Sequence, residues 1–281
     1  MDTAMLQTKA ETLRALHVPG NPLLLLNAWD AASAVVIERA GAPAIASTSA
    51  GAANALGYAD GQQLTREQML VAVAPIAAVV DVPVTADMEA GYGDAPEAAA
   101  ATALGVLGVG AVGLNLEDTA DAGTEPLLEI DQFVAKLAAI REATRAAGVE
   151  IVINARTDIF IGAVGDPATR LARTIERGRA YLEAGADCIF VPAVDAHLIG
   201  ALVEGVGGPV SVLAGAGTPS LTELADLGVA RISVGSGAYR SVLALARQMA
   251  EAAYGPGSLD AMLAAQVPFD EIQAFFATEA K

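Results

Sequence analysis

Short apolar runs alternate with alanine-rich amphipathic stretches along the chain, and this alternation is the feature that most constrains its fold. The apolar runs are hydrophobic at consecutive positions, which is typical of strands buried on both faces of a parallel sheet. Repeated strand–helix units predict a closed (β/α)₈ TIM-type barrel or an open doubly wound sheet, and eight evenly spaced units favour the α/β barrel. The predicted strands are Leu23–Ala28, Ala44–Thr48, Val82–Met88, Ala111–Glu117, Glu150–Arg156, Cys188–Ala193, Pro209–Ala214 and Arg231–Gly235.

We expect one barrel domain over residues 1–281, with residues 256–281 as a C-terminal helical extension. The extension contains two predicted helices, Ser258–Ala264 and Phe269–Thr278, and the second one carries three phenylalanines. Such a cluster needs an apolar surface to cover it, which indicates a neighbouring subunit. The predicted helices of the barrel include Thr65–Val80, Glu97–Leu107, Asp131–Ala147, Ala168–Ala184 and Ser220–Leu227.

The charge balance excludes some classes of partner. Thirty-three acidic residues against sixteen Lys and Arg give a net charge of −17, which disfavours binding to nucleic acid or to an anionic membrane. The longest aliphatic run, Leu23–Leu26, is too short to span a bilayer. The single cysteine, Cys188, excludes an internal disulfide, and the N-terminal residues do not resemble a signal peptide. We therefore expect a soluble cytoplasmic protein.

Two carboxylates end the third predicted strand. Asp87 and Glu89 lie two residues apart, so both side chains leave the same face of an extended backbone, and a Gly-Tyr-Gly turn follows them. Like charges on one face repel each other unless a cation lies nearby. Ligands that are all oxygen indicate Mg²⁺, with Mn²⁺ as the alternative. The competing interpretation is a solvated strand end with two surface acids.

Other polar residues follow the neighbouring strands. In a barrel the catalytic groups lie at the carboxyl ends of the strands, so these residues are expected to meet at one mouth. That mouth is rich in acids and contains one arginine, Arg156, whose fork of donors can bind a small carboxylate substrate at two points. An ion pair with Asp158 or Glu117 is the alternative role for Arg156. The remaining candidates at the mouth are Asp60, Asp118, Thr48, Ser49 and Asn154.

Five segments of the chain form a recognisable set: Asn27–Ser33, Thr48–Ala50 with Leu56–Asp60, Asp87–Gly93, Leu116–Asp118 and Asn154–Asp158. Together they resemble the isocitrate lyase/phosphoenolpyruvate mutase superfamily. The resemblance implies Mg²⁺ with Asp87 as its direct ligand, while Asp60, Glu89 and Glu117 hold metal-bound waters. It also implies that Thr48, Ser49 and Ala50 hold the pyruvyl end of a 2-oxo acid, and that the protein is a homo-oligomer, a dimer or a helix-swapped tetramer.

The chain departs from the family pattern where proton transfer is expected. Family lyases carry a Lys-Arg-Cys-Gly-His stretch after the fourth strand, whereas residues 119–125 here contain no Cys, Lys or His. The phosphonate-handling mutases carry a lysine and an asparagine in the same loop and a histidine at the position of Pro192, and these are missing too. A tricarboxylate lyase and a phosphonomutase both become less favoured.

These features predict a Mg²⁺-dependent lyase or decarboxylase that acts on an oxaloacetate-like 2-oxo or 2-hydroxy carboxylate through a metal-stabilised enolate. Arg156 and Asn154 would bind the substrate, and water held by Asp60, Glu89 or Glu117 would return the proton. The alternatives are an enzyme like phosphonopyruvate hydrolase or phosphoenolpyruvate mutase, and a non-catalytic 2-oxo acid binder. A Schiff-base aldolase is excluded, because Lys136 lies within a predicted helix and the other two lysines are near the termini.

Overall fold

Nine parallel strands form the core of the part of the chain that the computed structural model describes, residues 2–120 and 126–277. Their order is β1-β9-β8-β7-β6-β5-β4-β3-β2, which curls into a nearly closed barrel. The predicted α/β barrel is therefore confirmed. The strands are β1 Leu23–Leu25, β2 Asn27–Ala28, β3 Ile45–Ser47, β4 Val84–Asp87, β5 Gly113–Glu117, β6 Val152–Arg156, β7 Cys188–Val191, β8 Val210–Leu213 and β9 Arg231–Ser233.

The first predicted strand is two strands in the structure. Leu23–Leu25 pairs with β9, whereas Asn27–Ala28 pairs with β3, and Leu26 lies between them. A single chain segment thus supplies both edges of the sheet. The barrel is closed by the covalent continuity of that segment, which explains why one predicted strand reaches two neighbours.

Helices alternate with the strands and surround the barrel. One helix that the sequence pattern did not predict, Thr3–Ala15, precedes the first strand and contributes fully buried Leu13. The Leu13 side chain occupies the space that a Cβ on Gly113 would need, so this helix packs against the amino-terminal end of β5. The helices are α1 Thr3–Ala15, α2 Ala31–Arg39, α3 Ser49–Ala55, α4 Arg66–Val79, α5 Pro96–Gly108, α6 Ile130–Ala146, α7 Pro167–Glu183, α8 Ile199–Val206, α9 Leu221–Asp226, α10 Gly237–Tyr254, α11 Asp260–Ala264 and α12 Phe269–Phe276.

The C-terminal helices follow the last strand as expected. Helix α12 ends at Phe276, and Thr278, where the predicted helix ended, lies outside the described residues. Its inner side contacts α2, because Arg39 donates to the carbonyl of Ala274 at 3.2 Å and its guanidinium stacks on the ring of Phe275. Among the described helices, none combines the length and the apolar character that crossing a bilayer requires.

Strand register brings the candidate residues together. Asp87 of β4 pairs with Asn115 of β5, which pairs with Asn154 of β6. One level nearer the carboxyl ends, Glu117 pairs with Arg156. Paired residues of neighbouring parallel strands point to the same side of the sheet, so these side chains form two successive layers at the mouth of the barrel.

Candidate active site

Asp87 lies at the end of β4 and faces the start of helix α3. One carboxylate oxygen, Oδ2, accepts hydrogen bonds from the backbone N–H of Ser49 at 3.0 Å and from the Ser49 hydroxyl at 2.8 Å. The other oxygen, Oδ1, accepts from the amide of Asn115 at 3.4 Å. The positive end of the α3 dipole also favours a negative charge at this position. Asp87 is thus oriented from two sides.

Thr48 and Ala50 belong to the same helix start. Thr48 is the N-cap of α3, and its hydroxyl accepts a hydrogen bond from the N–H of Gly51 at 3.3 Å. This capping contact is the structural role that the sequence left open for Thr48. Ser49 and Ala50 form the first turn, where helix amides lack partners within the helix.

Glu89 lies two residues after the end of β4 and is 4% exposed. Its carboxylate accepts a hydrogen bond from the backbone N–H of Gln62, and the Gln62 side chain in turn accepts one from the N–H of Tyr92 at 2.9 Å. Burial, together with the charges of Asp87 and Asp60, raises the pKa of Glu89 to about 7. Gln62 therefore joins the loop after α3 to the loop after β4, next to the acids Asp60, Asp87 and Glu89.

Arg156 lies between two acids. Its Nη1 is 2.5 Å from a carboxylate oxygen of Glu117, while Nε and Nη2 contact the two oxygens of Asp158 at 2.5 and 3.0 Å. Burial alone would lower the pKa of Arg156, but the charges of Glu117 and Asp158 raise it above its usual value. A guanidinium has five N–H donors, and these contacts use three of them. One N–H on each of Nη1 and Nη2 is left for a ligand.

A buried group of side chains around Asp118 supports the ion pair of Arg156 and Asp158. The carboxylate of Asp118 accepts a hydrogen bond from the N–H of Asp158 at 3.0 Å, and its other oxygen contacts Arg177 at 3.0 Å and the hydroxyl of Tyr181 at 2.8 Å. The Thr119 hydroxyl donates to Asp158 at 3.0 Å. Asp118 therefore does not face the mouth, and it fixes the position of the acid that holds Arg156.

Asn154 lies one layer below the mouth and is fully buried. Its amide donates to Oδ1 of Asn115 at 2.8 Å, and the same oxygen accepts from Arg231 at 3.2 Å. Because Oδ1 of Asn115 accepts twice, its NH₂ group is the one directed at Asp87. Asn115 and Arg231 are positioning residues. Asn115 is one of the polar residues expected near the end of its strand, whereas Arg231 begins its strand, and strand order alone does not show that its side chain reaches across the interior from β9 to β5.

The acids fit a hydrated magnesium ion. Among residues 2–120 and 126–277, no three Asp, Glu, His or Cys side chains form a complete ligand group for a metal. Magnesium in proteins usually takes one or two carboxylates directly and keeps several waters. Beside Asp87, burial raises the pKa of Asp60, Glu89 and Glu117, and the charge of Asp87 raises each of them further. A cluster of oxygen donors with this mutual repulsion suits a hard cation rather than zinc.

A cavity of about 710 Å³ opens beside these acids. Glu89 and Glu117 line its inner side, and Gln62, Arg66 and Tyr92 line the rest together with neighbouring loop residues. Sequence reasoning missed Arg66 and Tyr92, because neither residue ends a strand. The loop that lacks the lyase motif borders this cavity through Thr119 and Ala120, whereas residues 121–125 lie outside the described part of the chain.

Known proteins share this architecture. An uncharacterised Mycobacterium tuberculosis protein is 35% identical, over 92% of this chain and 93% of its own. A Burkholderia cenocepacia structure provisionally described as a lyase or mutase superposes with a TM-score of 0.89 at 36% identity, covering 98% of both chains. A phosphonopyruvate hydrolase solved with oxalate and Mg²⁺ gives a TM-score of 0.83 at 26% identity, covering 95% of this chain and 94% of that one.

Other relatives of the chain are named 2-methylisocitrate lyase and oxaloacetate decarboxylase. The model of the phosphoenolpyruvate phosphomutase family matches residues 13–254. The resemblance expected from the five segments is thereby confirmed, and the chain belongs to the phosphoenolpyruvate phosphomutase family within the isocitrate lyase/phosphoenolpyruvate mutase superfamily.

Proposed function

We propose that this protein is a Mg²⁺-dependent lyase that decarboxylates or cleaves a small 2-oxo dicarboxylate of the oxaloacetate type. The observation that carries the proposal is the cluster of the acids Asp87, Glu89 and Glu117 near Arg156, whose contacts with Glu117 and Asp158 use three of its five N–H donors. A 2-oxo dicarboxylate matches this arrangement, because one end can meet a metal ion and the other a guanidinium.

Asp87 would hold the ion directly, while Glu89, Glu117 and Asp60 would hold its waters. When bound, the ion supplies a Lewis acid for the negative charge that develops on the 2-oxo acid. The amide of Ala50 at the start of α3 would orient the pyruvyl end, while the amide and hydroxyl of Ser49 orient Asp87. Arg156 would bind the distal carboxylate through its Nη1 and Nη2 edge.

The missing acid/base loop motif favours decarboxylation over cleavage of a tricarboxylate. Decarboxylation needs no base to begin, since carbon dioxide leaves with the bond electrons remaining on the substrate. Only the return of a proton to carbon needs a donor, and water held between Asp60, Glu89 and Glu117 can supply it. The chain therefore needs no cysteine or histidine at the mouth for this reaction.

The test is product detection by NMR with a panel of 2-oxo acids, with and without Mg²⁺. We expect oxaloacetate to give pyruvate in Mg²⁺, no turnover in EDTA, and recovery when Mg²⁺ is restored. Full activity in metal-free protein would overturn the proposal. Tight binding of oxaloacetate by calorimetry without any product would instead identify a non-catalytic 2-oxo acid binder.

A second candidate is hydrolysis of phosphonopyruvate. The likeness to the phosphonopyruvate hydrolase solved with oxalate and Mg²⁺ supports it, whereas Pro192 and the composition of residues 119–125 speak against it. Release of inorganic phosphate from phosphonopyruvate, measured beside the oxaloacetate assay, separates carbon–phosphorus from carbon–carbon chemistry.

We also propose that the protein assembles as a homo-oligomer, a dimer or tetramer, through its C-terminal helices. These helices expose large apolar side chains, with Phe269 at 74% and Leu263 at 61%, and Tyr254 at the end of the preceding helix α10 is 93% exposed. Exposure on this scale is typical of a surface that another protein covers. The net charge of −17 disfavours nucleic acid and anionic membranes as further partners.

A further inference from the structure

The loop that carries Glu89 has an unusual backbone. Glu89, Gly91, Tyr92 and Gly93 have φ angles of 50°, 88°, 61° and 137°, all in the left-handed region. Glycine accepts this region readily, but Glu89 and Tyr92 do so only when the surroundings hold them there. The orientation of the Glu89 side chain therefore depends on the contacts that hold this loop in its left-handed conformation.

Hydrogen bonds from three directions fix it. The backbone N–H of Glu117 donates to the carbonyl of Glu89 at 2.9 Å, and the hydroxyl of Thr102 donates to the carbonyl of Gly91 at 2.9 Å. Two further carbonyls of the loop, those of Ala90 and Gly93, both accept from Nζ of Lys136, at 2.6 and 2.9 Å. One ammonium group therefore binds the loop at two points that lie three residues apart.

Lys136 is buried on the inner face of helix α6. It is 0% exposed, and Phe133, Leu137 and Ile140 form the same buried face. A buried ammonium is costly unless its donors are satisfied, so its position is explained by the carbonyls it binds. Because these carbonyls point at Lys136, they do not compete for a cation at the mouth.

We propose that Lys136 is a positioning residue for the metal site: its ammonium holds the loop Glu89–Gly93 in its left-handed form and thereby directs the Glu89 carboxylate at the waters of the cation. This inference rests on the proposed function, because it assumes that Glu89 serves a bound divalent ion. Lys136 acts through Glu89 and contacts neither substrate nor metal.

The experiment compares Lys136→Met with Thr144→Val in the full-length protein. Both residues are buried on α6, and the Thr144 hydroxyl bonds only within the helix, to the carbonyl of Ile140 at 2.8 Å, so its loss controls for damage to α6. Hydrogen exchange in metal-free protein reports on the loop through the N–H groups of Gly91 and Tyr92, which donate to Met88 and Gln62. We expect exchange to become at least tenfold faster in Lys136→Met and to stay at the wild-type rate in Thr144→Val.

The second readout is the affinity for Mn²⁺, followed by electron paramagnetic resonance without substrate. We expect at least tenfold weaker binding in Lys136→Met, and no further weakening when Lys136→Met is added to Glu89→Ala. Wild-type exchange and affinity in Lys136→Met would overturn the inference, as would equal weakening of Mn²⁺ binding by Lys136→Met with and without Glu89.

Should wild-type protein bind no Mn²⁺, the proposed function fails, and unchanged loop exchange in Lys136→Met would then refute the role of Lys136 separately. If Lys136→Met does not fold, Lys136→Gln takes its place in both measurements.

Discussion

The guanidinium of Arg156 contacts both carboxylate oxygens of Asp158, at 2.5 and 3.0 Å, although the two residues are separated by only one position. A contact of this kind normally indicates a structural ion pair. The Nη1 group contacts Glu117 as well, and these contacts together leave one N–H on each of Nη1 and Nη2. The sequence offered the ion pair and the substrate clamp as alternatives, and the geometry allows one arginine to serve as both.

This dual role predicts the behaviour of Arg156→Lys. A lysine keeps the positive charge but has no planar fork, so it cannot hold Asp158 at two points and present two further N–H groups. We expect the KM for a 2-oxo dicarboxylate to rise at least about tenfold, equivalent to about 1.4 kcal/mol of lost binding. Steady-state kinetics would measure this, with a 2-oxo monocarboxylate as the control substrate. An unchanged KM would show that Arg156 serves only the ion pair.

The second prediction concerns Asp87→Asn. The amide oxygen can still accept hydrogen bonds from Ser49, whereas the new NH₂ group faces the NH₂ group of Asn115 and loses that 3.4 Å contact. The fold should therefore be kept, with a loss of about 1–2 kcal/mol in unfolding free energy. The loss of the negative charge should abolish Mg²⁺ binding in calorimetry. Asp195→Asn, at an exposed acid after β7, is the matched control and should bind Mg²⁺ like the wild type. Retention of the Mg²⁺ affinity in Asp87→Asn would contradict the assigned ligand.

Much of the site could be predicted because the carboxyl ends of parallel strands meet at one edge. This rule alone placed Asp87, Glu117 and Arg156 together, and register confirms that they lie on neighbouring strands. The depth of a residue below that edge is harder to predict. Asn154 is two residues before Arg156, so it points to the same side, but it lies one layer lower and bonds to Asn115 instead of facing the cavity.

Contacts between distant segments could not be predicted from local patterns. Lys136 lies within a helix whose apolar spacing shows the buried face, but nothing in that spacing shows that the loop after β4 folds over it. The split of the first strand at Leu26 could not be predicted for the same reason, because it arises from pairing with β9 before Leu26 and with β3 after it. Periodicity indicates which face of a helix or strand is buried, but it does not identify the segment that packs against that face.

His17 predicts a pH dependence of stability that is independent of the active site. It is 7% exposed, and its Nδ1–H donates to the carbonyl of Leu13 at 2.8 Å. Burial, assisted by the positive charge of Arg231, lowers its pKa from 6.5 to about 4. Between about pH 6.5 and pH 4, His17 is therefore protonated in the unfolded chain but neutral in the folded protein. The contribution of neutral His17 to stability is full above about pH 6.5 and is lost as the pH falls toward 4.

This difference between the pKa of His17 in the unfolded chain and in the folded protein corresponds to a loss on the order of 3 kcal/mol in the free energy of unfolding near pH 4. Urea unfolding at several pH values should show that His17→Gln loses less stability on acidification than the wild type. The chain has one other histidine, exposed His197, and His197→Gln should follow the wild-type curve. Parallel curves for the wild type and His17→Gln would contradict the assignment.

The last prediction tests assembly through the C-terminal helices. Helix α12 already uses Phe275 to contact Arg39 of its own chain, whereas Phe269 points outward and is 74% exposed. Phe269→Asp would place a charge on the surface that we propose a second copy covers, and the cost of burying an unpaired charge should break that contact. We expect light scattering after gel filtration to show a smaller assembly for Phe269→Asp than for the wild type. Val71→Asp changes another apolar side chain with a similar exposed fraction, 73%, on α4, and should leave the assembly unchanged. A wild type that is monomeric at all concentrations, or an equal effect of both substitutions, would show that these helices do not form the interface.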